Sequence, residues 1–121
     1  MMKLVALNCT SVSMTILLLA GCSSPTSLGL AEEICEARFS LIDIDPNSES
    51  GAPRWYDTWE KTMEIRNSPN ASDKELQVAS SMDDWFNAAL DAVKSGLQWP
   101  IYGDEFGSAG LELNEACQPF D

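Results

Sequence analysis

The amino-acid sequence predicts an all-α fold, a small bundle of three or four helices. From residue 30 onward, apolar side chains recur at spacings of three and four, which is typical of amphipathic helices. No alternating strand pattern and no internal repeat is visible. The 121 residues are 45% hydrophobic and include four tryptophans, which is enough for one core. We therefore expect a single helical domain over residues 30–121.

The first helix is predicted over residues 30–43. Leu30, Ile34, Ala37 and Leu41 follow one another at steps of four, three and four. Three glutamates lie early in the segment, where negative charge stabilises the start of a helix. The polar loop that follows, with a proline and a glycine, ends this helix.

The second helix is predicted over residues 53–66. Pro53 is tolerated in a first helical turn, because the amide proton that proline lacks would have no partner there. Trp55, Trp59 and Met63 then repeat every four residues and indicate one apolar face. A turn around Pro69 separates this helix from the next.

The third helix has the clearest start in the sequence. Ser72 and Glu75 form the Ser-x-x-Glu pattern of a capping box, which satisfies two free amides of the first turn. The apolar stripe behind it consists of Leu76, Ala79, Met82, Phe86, Leu90 and Val93. Gly96 follows the last turn and is typical of a helix C-terminus.

The remaining chain is predicted as an irregular segment and one short helix. Residues 97–107 contain two glycines, one proline and three aromatic residues, and we expect them to pack irregularly over the bundle. A fourth helix begins after a cap at Gly107 or Ser108 and stops before Pro119. Its apolar contacts come from Leu111, Leu113 and Ala116.

The N-terminal residues have the order of a signal peptide. Lys3 precedes an apolar run over residues 12–20, which is shorter than the ~20 residues that a membrane-spanning helix needs. The run ends in Leu19-Ala20-Gly21-Cys22, which resembles the lipobox of bacterial lipoproteins. A plain secretory leader and a buried N-terminal helix are the alternatives.

The lipobox resemblance implies a lipid anchor. In that family the cysteine receives a diacylglyceryl group, the residues before it are cleaved, and acyl chains such as palmitate hold the protein on a membrane. Residues 1–21 are then the signal peptide, and residues 22–29 are the lipidated N-terminus and a flexible tether. The domain would be exposed outside the cytoplasm, periplasmic or on the cell surface, with the lipid bilayer as its first partner.

The four cysteines fit this interpretation. Cys9 leaves with the leader and Cys22 carries the lipid, so Cys35 and Cys117 remain as one pair in an oxidising compartment. We expect these two to form a disulfide between the first helix and the C-terminal segment. A redox pair is the alternative, but it would more typically show a CxxC spacing.

Composition disfavours several classes of function. With 19 acidic and 7 basic residues the net charge is −12, which disfavours binding to nucleic acid. The sequence has no histidine, so the commonest proton shuttle and metal ligand are missing. We expect no enzymatic activity, no cofactor and no metal site.

Aromatic residues are the candidates for ligand or partner contact. Tyr56 lies off the clearest apolar stripe, and Trp99 and Tyr102 lie in the segment predicted as irregular, so these three are the better binding candidates. Packing in the core is the expected role of the other large aromatics, namely Trp55, Trp59, Trp85 and Phe86.

Acidic residues offer two weaker alternatives. Oxygen-bearing side chains alternate as in half of a calcium loop at Asp43, Asp45, Asn47 and Glu49. The turn glycine is replaced by Ser48, and the twelfth position is Arg54, so the rest of the motif fails.

Paired carboxylates, as in glycosidases, occur at Glu32-Glu33, Asp83-Asp84 and Asp104-Glu105. Adjacent residues do not face each other on a helix, so we expect a solvated acidic surface.

The sequence thus predicts a membrane-anchored envelope lipoprotein of non-catalytic, interaction or inhibitory type. Its acidic surface would attract a basic envelope protein at low salt. The first alternative is a module that binds a small molecule or glycan on an aromatic surface. An envelope enzyme or a calcium-binding protein is a weaker alternative.

Overall fold

Four α-helices account for most of residues 26–99 and 104–121, which are the residues that the computed structural model describes. They are α1 (Ser27–Leu41), α2 (Gly51–Arg66), α3 (Asp73–Lys94) and α4 (Asp104–Cys117), and a 3-10 turn follows at Gln118–Phe120. These two ranges contain no strand, so the predicted all-α bundle is confirmed with four helices. None of the helices within them is long and apolar enough to cross a membrane.

Helix α1 begins three residues before its predicted start at residue 30 and ends two residues before its predicted end at residue 43. The reason for the early start is Thr26, whose side-chain oxygen accepts a hydrogen bond from the Gly29 amide at 2.9 Å. The predicted tether over residues 22–29 is therefore too long, because Ser27 is already helical. Residues 22–25 lie outside the described ranges.

Helix α2 begins at Gly51 rather than at Pro53. The Gly51 amide donates a hydrogen bond to the Ser48 hydroxyl at 2.9 Å, which ties the preceding loop to the first turn. A side chain at position 51 would collide with the carbonyl oxygen of Asp45. The absence of a Cβ therefore permits the close approach of loop and helix.

Helix α3 has both of its predicted ends. The Ser72 hydroxyl accepts the Glu75 amide, and the Glu75 carboxylate accepts the Ser72 amide, so the capping box is confirmed. At the other end Gly96 has φ +87°, and its amide donates to the Val93 carbonyl while the Leu97 amide donates to a carbonyl one residue earlier. This is the Schellman pattern of a glycine-terminated helix.

Helix α4 is longer than the predicted short helix. It begins at Asp104, so the interpretation of residues 97–107 as irregular is wrong for 104–107. Two acidic residues in the first turn favour a helix start there, and Gly107 lies inside the helix rather than at its cap. Residues 97–99 are non-helical as predicted, and residues 100–103 are outside the described ranges.

Trp55 is the centre of the core. Its side chain is fully buried, and its indole Nε1 donates a hydrogen bond to the Ile44 carbonyl at 2.6 Å. The ring centroids of Trp85 and Phe86 from α3 lie 4.8 and 6.0 Å away. The predicted core role is confirmed for these three residues, whereas Trp59 is only partly buried. Helix α3 packs between α2 and α4, and α1 closes the bundle against α2.

The predicted disulfide is present. Cys35 in the middle of α1 is bonded to Cys117, the last residue of α4, and the two Cα atoms lie 5.6 Å apart. Both half-cystines are buried. The bond therefore holds α1 and α4 together at one level of the bundle.

Candidate functional site

An open apolar groove of about 420 Å³ runs between α1 and α4. Trp85 of α3 lines the groove between the two helices. We call this feature the α1–α4 groove, and its other principal lining residues are Arg38, Phe39, Ile42, Phe106, Gly107 and Leu111.

The rim of the groove exposes large apolar side chains. Phe39 and Ile42 of α1 are 65% and 49% exposed, and Leu111 of α4 is 66% exposed. Isolated apolar side chains are common on protein surfaces, but these three border one concave surface. An apolar surface with this arrangement is typical of a binding site.

Two glycines of α4 line the groove. A Cβ at Gly107 would meet no atom within 4 Å, so this position borders empty space. A Cβ at Gly110 would lie 3.3 Å from Nε1 of Trp85, a tight contact, so the glycine favours the close approach of α4 to the indole. Glycine inside a helix is unfavourable by about 1 kcal/mol relative to alanine. Gly107 therefore leaves part of the groove free of a side chain, at some expense of helix stability.

Arg38 is a buried charged residue in the groove wall. Its side chain is 7% exposed, and its Nη2 donates to both carboxylate oxygens of Asp121 at 3.0 and 2.9 Å. The guanidinium carbon lies 4.3 Å from the ring centroid of Phe39, a cation–π contact. Its Nε and Nη1 are buried and have no hydrogen-bond partner among the described residues.

The unpartnered nitrogens are unusual for a native protein. Buried donors nearly always have an acceptor, because removal from water without one costs about 1–3 kcal/mol, and more for a charged group. The rest of the groove lining offers little compensation, since among the described lining residues Asn114 is the one other side chain with a hydrogen-bond acceptor. The groove thus combines an apolar surface with one cation that has spare donors.

The sequence-predicted contact residues lie elsewhere. Tyr56 is 49% exposed on α2 and packs edge-on against Trp59 and Phe86, at centroid distances of 6.5 and 5.2 Å. Trp99 donates a hydrogen bond through Nε1 to the Ile42 carbonyl at 3.1 Å, which places it beside the groove but not in its lining. The structure does not bring these two aromatics together.

Two predicted site residues lie outside the described ranges. They are Tyr102, a candidate for ligand contact, and Cys22, the residue predicted to carry the lipid.

The acidic residues serve local structure. The Asp45 carboxylate accepts the Asn47 amide at 2.8 Å and so stabilises the loop after α1. Asp83 accepts the indole proton of Trp59 at 2.7 Å and lies 3.6 Å from a guanidinium nitrogen of Arg66. Among residues 26–99 and 104–121, no three acidic or cysteine side chains are grouped so that they could hold a metal ion.

Sequence reasoning missed Arg38 and the glycines of α4. One signal was available, because Arg38 follows Ile34 by four residues and so falls on the apolar stripe of α1. A charged residue in such a stripe must be paired or exposed, so its position indicates an unusual environment for the charge. Gly107 was interpreted only as a possible helix cap, and no role was predicted for Gly110.

No protein-family model, curated protein or solved structure matches this chain.

Proposed function

We propose that this protein is a non-catalytic, lipid-anchored domain of the bacterial envelope that acts by binding through the α1–α4 groove. The observation that carries this proposal is the groove itself, an apolar concave surface with a buried cation in its wall. A volume of about 420 Å³ lies in the range of ligand sites, which are ~300–1,000 Å³.

The anchor in this proposal is Cys22. Its support is the sequence Leu19-Ala20-Gly21-Cys22 directly after an apolar run, together with the pairing of Cys35 and Cys117 in one disulfide. Disulfides persist in extracytoplasmic compartments and are rare in the bacterial cytosol. A structural disulfide therefore supports a domain outside the cytoplasm.

The test of the anchor is an intact mass measured without reductant on protein purified from a bacterial membrane fraction. We expect a species that begins at Cys22, carries added diacylglyceryl mass, and is two hydrogens lighter than its reduced form. The matched control is Cys22→Ala, which should lack the lipid and leave the membrane fraction or stay unprocessed. An unprocessed, fully reduced wild-type chain in the soluble fraction would contradict the proposal.

The net charge of −12 favours a second mode of action, contact with a basic envelope protein. In this mode the acidic surface, rather than the groove, binds the partner and blocks it. Chemical cross-linking in intact membranes, repeated over a range of salt concentrations, tests it. A cross-linked basic protein that disappears at high salt is the expected result. Its persistence at high salt would argue against an electrostatic contact.

A further inference from the structure

We infer that the α1–α4 groove binds a long-chain fatty acid, with its carboxylate at Arg38 and its hydrocarbon chain along the apolar lining. The inference deepens the proposed function, on which it rests, by naming the ligand of the groove. It combines three properties of the site: the charge of its lining, the burial of Arg38 and the size of the groove.

The charge of the lining selects an anionic head group. Arg38 is the one charged residue that lines the groove in the part of the chain that the structure describes, although the whole chain carries a net charge of −12. Asp121 contacts the guanidinium only through Nη2, so the buried Nε and Nη1 have no acceptor among the described residues. A ligand carboxylate supplies the acceptor that these donors lack, in a charge-assisted hydrogen bond.

The remaining lining selects an apolar body. Beyond Arg38 the groove is bordered by aromatic and aliphatic side chains, with Phe39 and Leu111 most exposed. Each CH₂ group that a chain buries there contributes about 0.8 kcal/mol. A ligand with one carboxylate and a hydrocarbon chain matches both parts of the site.

The size and the net charge favour a small molecule over an acidic protein. A stable protein interface buries about 800 Å² on each partner, whereas three exposed apolar side chains around a groove of about 420 Å³ offer a much smaller surface. An acidic protein would also be repelled by the charge of −12, and the repulsion grows with each charge that the partner carries. A monoanion meets the least repulsion.

Photolabelling of the full-length protein in membrane vesicles tests the inference. The probe is a palmitic acid analogue with a diazirine in the chain and an alkyne at its end, and the labelled peptides are mapped by mass spectrometry. We expect label on the α1 and α4 segments that line the groove. Unlabelled palmitic acid should compete for this label, and hexadecanol, which lacks the charge, should compete poorly.

Four variants distinguish binding of the probe in the groove from general contact of the protein with probe in the bilayer. Gly107→Leu fills the groove from a position where a side chain has free space, and should reduce labelling about tenfold or more. Ser108→Leu adds the same side chain at an exposed neighbour outside the groove lining, and should leave labelling unchanged. Circular dichroism and the melting temperature show that both variants fold.

The other two variants address the head group. Arg38→Met keeps an unbranched side chain and removes the charge, and should reduce labelling by palmitic acid about tenfold. Asp121→Asn removes a negative charge beside the ligand carboxylate, and should increase labelling by up to about fivefold. A merely structural role of the ion pair would predict a decrease in both variants.

The inference is wrong if hexadecanol competes as well as palmitic acid, or if Gly107→Leu leaves the labelling unchanged. Absence of label from the groove peptides also overturns it, and is the result expected if an apolar helix of another protein covers this face. Loss of the lipid on Cys22 would instead appear in the intact mass, so failure of the anchor and failure of the groove are distinguishable.

Discussion

At the scale of single residues, Arg38 shows how a charge can be buried with incomplete pairing. Its aliphatic part extends from α1 into the groove wall, and the guanidinium has Phe39 on one face and Asp121 at one nitrogen. The two free nitrogens are an energetic cost that packing alone does not remove. The bound ligand that we infer would offset this cost.

A second residue-scale contact predicts a dependence on pH. The Ser27 hydroxyl donates to the Glu75 carboxylate at 2.7 Å, and this hydrogen bond, followed by that from the Ser72 amide, lowers the pKa of Glu75 below its ordinary value of 4.5. A carboxyl group with a lowered pKa in the folded state stabilises the fold above its unfolded pKa. The stabilisation disappears as the pH falls through the folded pKa.

We therefore expect Ser27→Ala to lower the free energy of unfolding at pH 7, and to lower it less at about pH 3. Urea denaturation of wild type and variant at both pH values measures the difference. The control is Ser80→Ala, an exposed serine on α3, which should change little at either pH. An equal loss at both pH values would show that the charge of Glu75 is not involved.

At the scale of the helices, sequence reasoning succeeded where side chains mark the ends. Both ends of α3 were predicted because Ser72, Glu75 and Gly96 act within a few residues of the chain. The starts of α1 and α4 were misplaced. Thr26 lies in a segment interpreted as a tether, and Gly107 was interpreted as a boundary although it lies inside a helix.

The groove was beyond sequence reasoning for a different reason. Its two walls come from α1 and α4, and residues such as Phe39 and Leu111 are more than 70 positions apart in the chain. Local periodicity assigns each residue to a face of its own helix but does not say which side chains of different helices border one groove. Trp85 of α3 lies between these two walls and completes the lining.

Helix-scale packing predicts opposite effects for one substitution at two glycines. Gly107→Ala should raise the free energy of unfolding by about 1 kcal/mol, because alanine is the better helix former and its Cβ meets no atom within 4 Å. Gly51→Ala should lower it by about 1–3 kcal/mol, because the added Cβ would collide with the Asp45 carbonyl and the Ile44 side chain.

Chemical denaturation of the two variants beside wild type measures both effects. Each variant is the matched control for the other, since both add one methyl group to a helix. A destabilised Gly107→Ala would show that the space beside α4 is filled in solution. An unchanged Gly51→Ala would show that the loop before α2 adapts without loss.

At the scale of the whole molecule, one covalent bond connects the first and last helices. The fold has one core around Trp55, and the Cys35–Cys117 bond adds a constraint between residues 82 positions apart. In the chain-entropy model, a disulfide that closes a loop of this length stabilises a domain by about 4–5 kcal/mol. That is a large part of the ~5–15 kcal/mol typical of a small domain.

We expect the double variant Cys35→Ala and Cys117→Ala to unfold at lower urea concentration, with a decrease of about 4–5 kcal/mol in the free energy of unfolding. Replacing both residues avoids a free thiol, and wild type measured without reductant is the reference. A loss below about 1 kcal/mol would show that the reduced chain already keeps α1 and α4 close together.

The position of the two cysteines also sets the order of events as the chain is made. When Cys35 leaves the ribosome, its partner is still 82 residues away, and α2, α3 and α4 must follow before the two sulfurs can meet. Local helices form in microseconds, whereas a disulfide takes seconds or longer. The Cys35–Cys117 disulfide therefore forms last, and it stabilises an assembled bundle rather than directing its assembly.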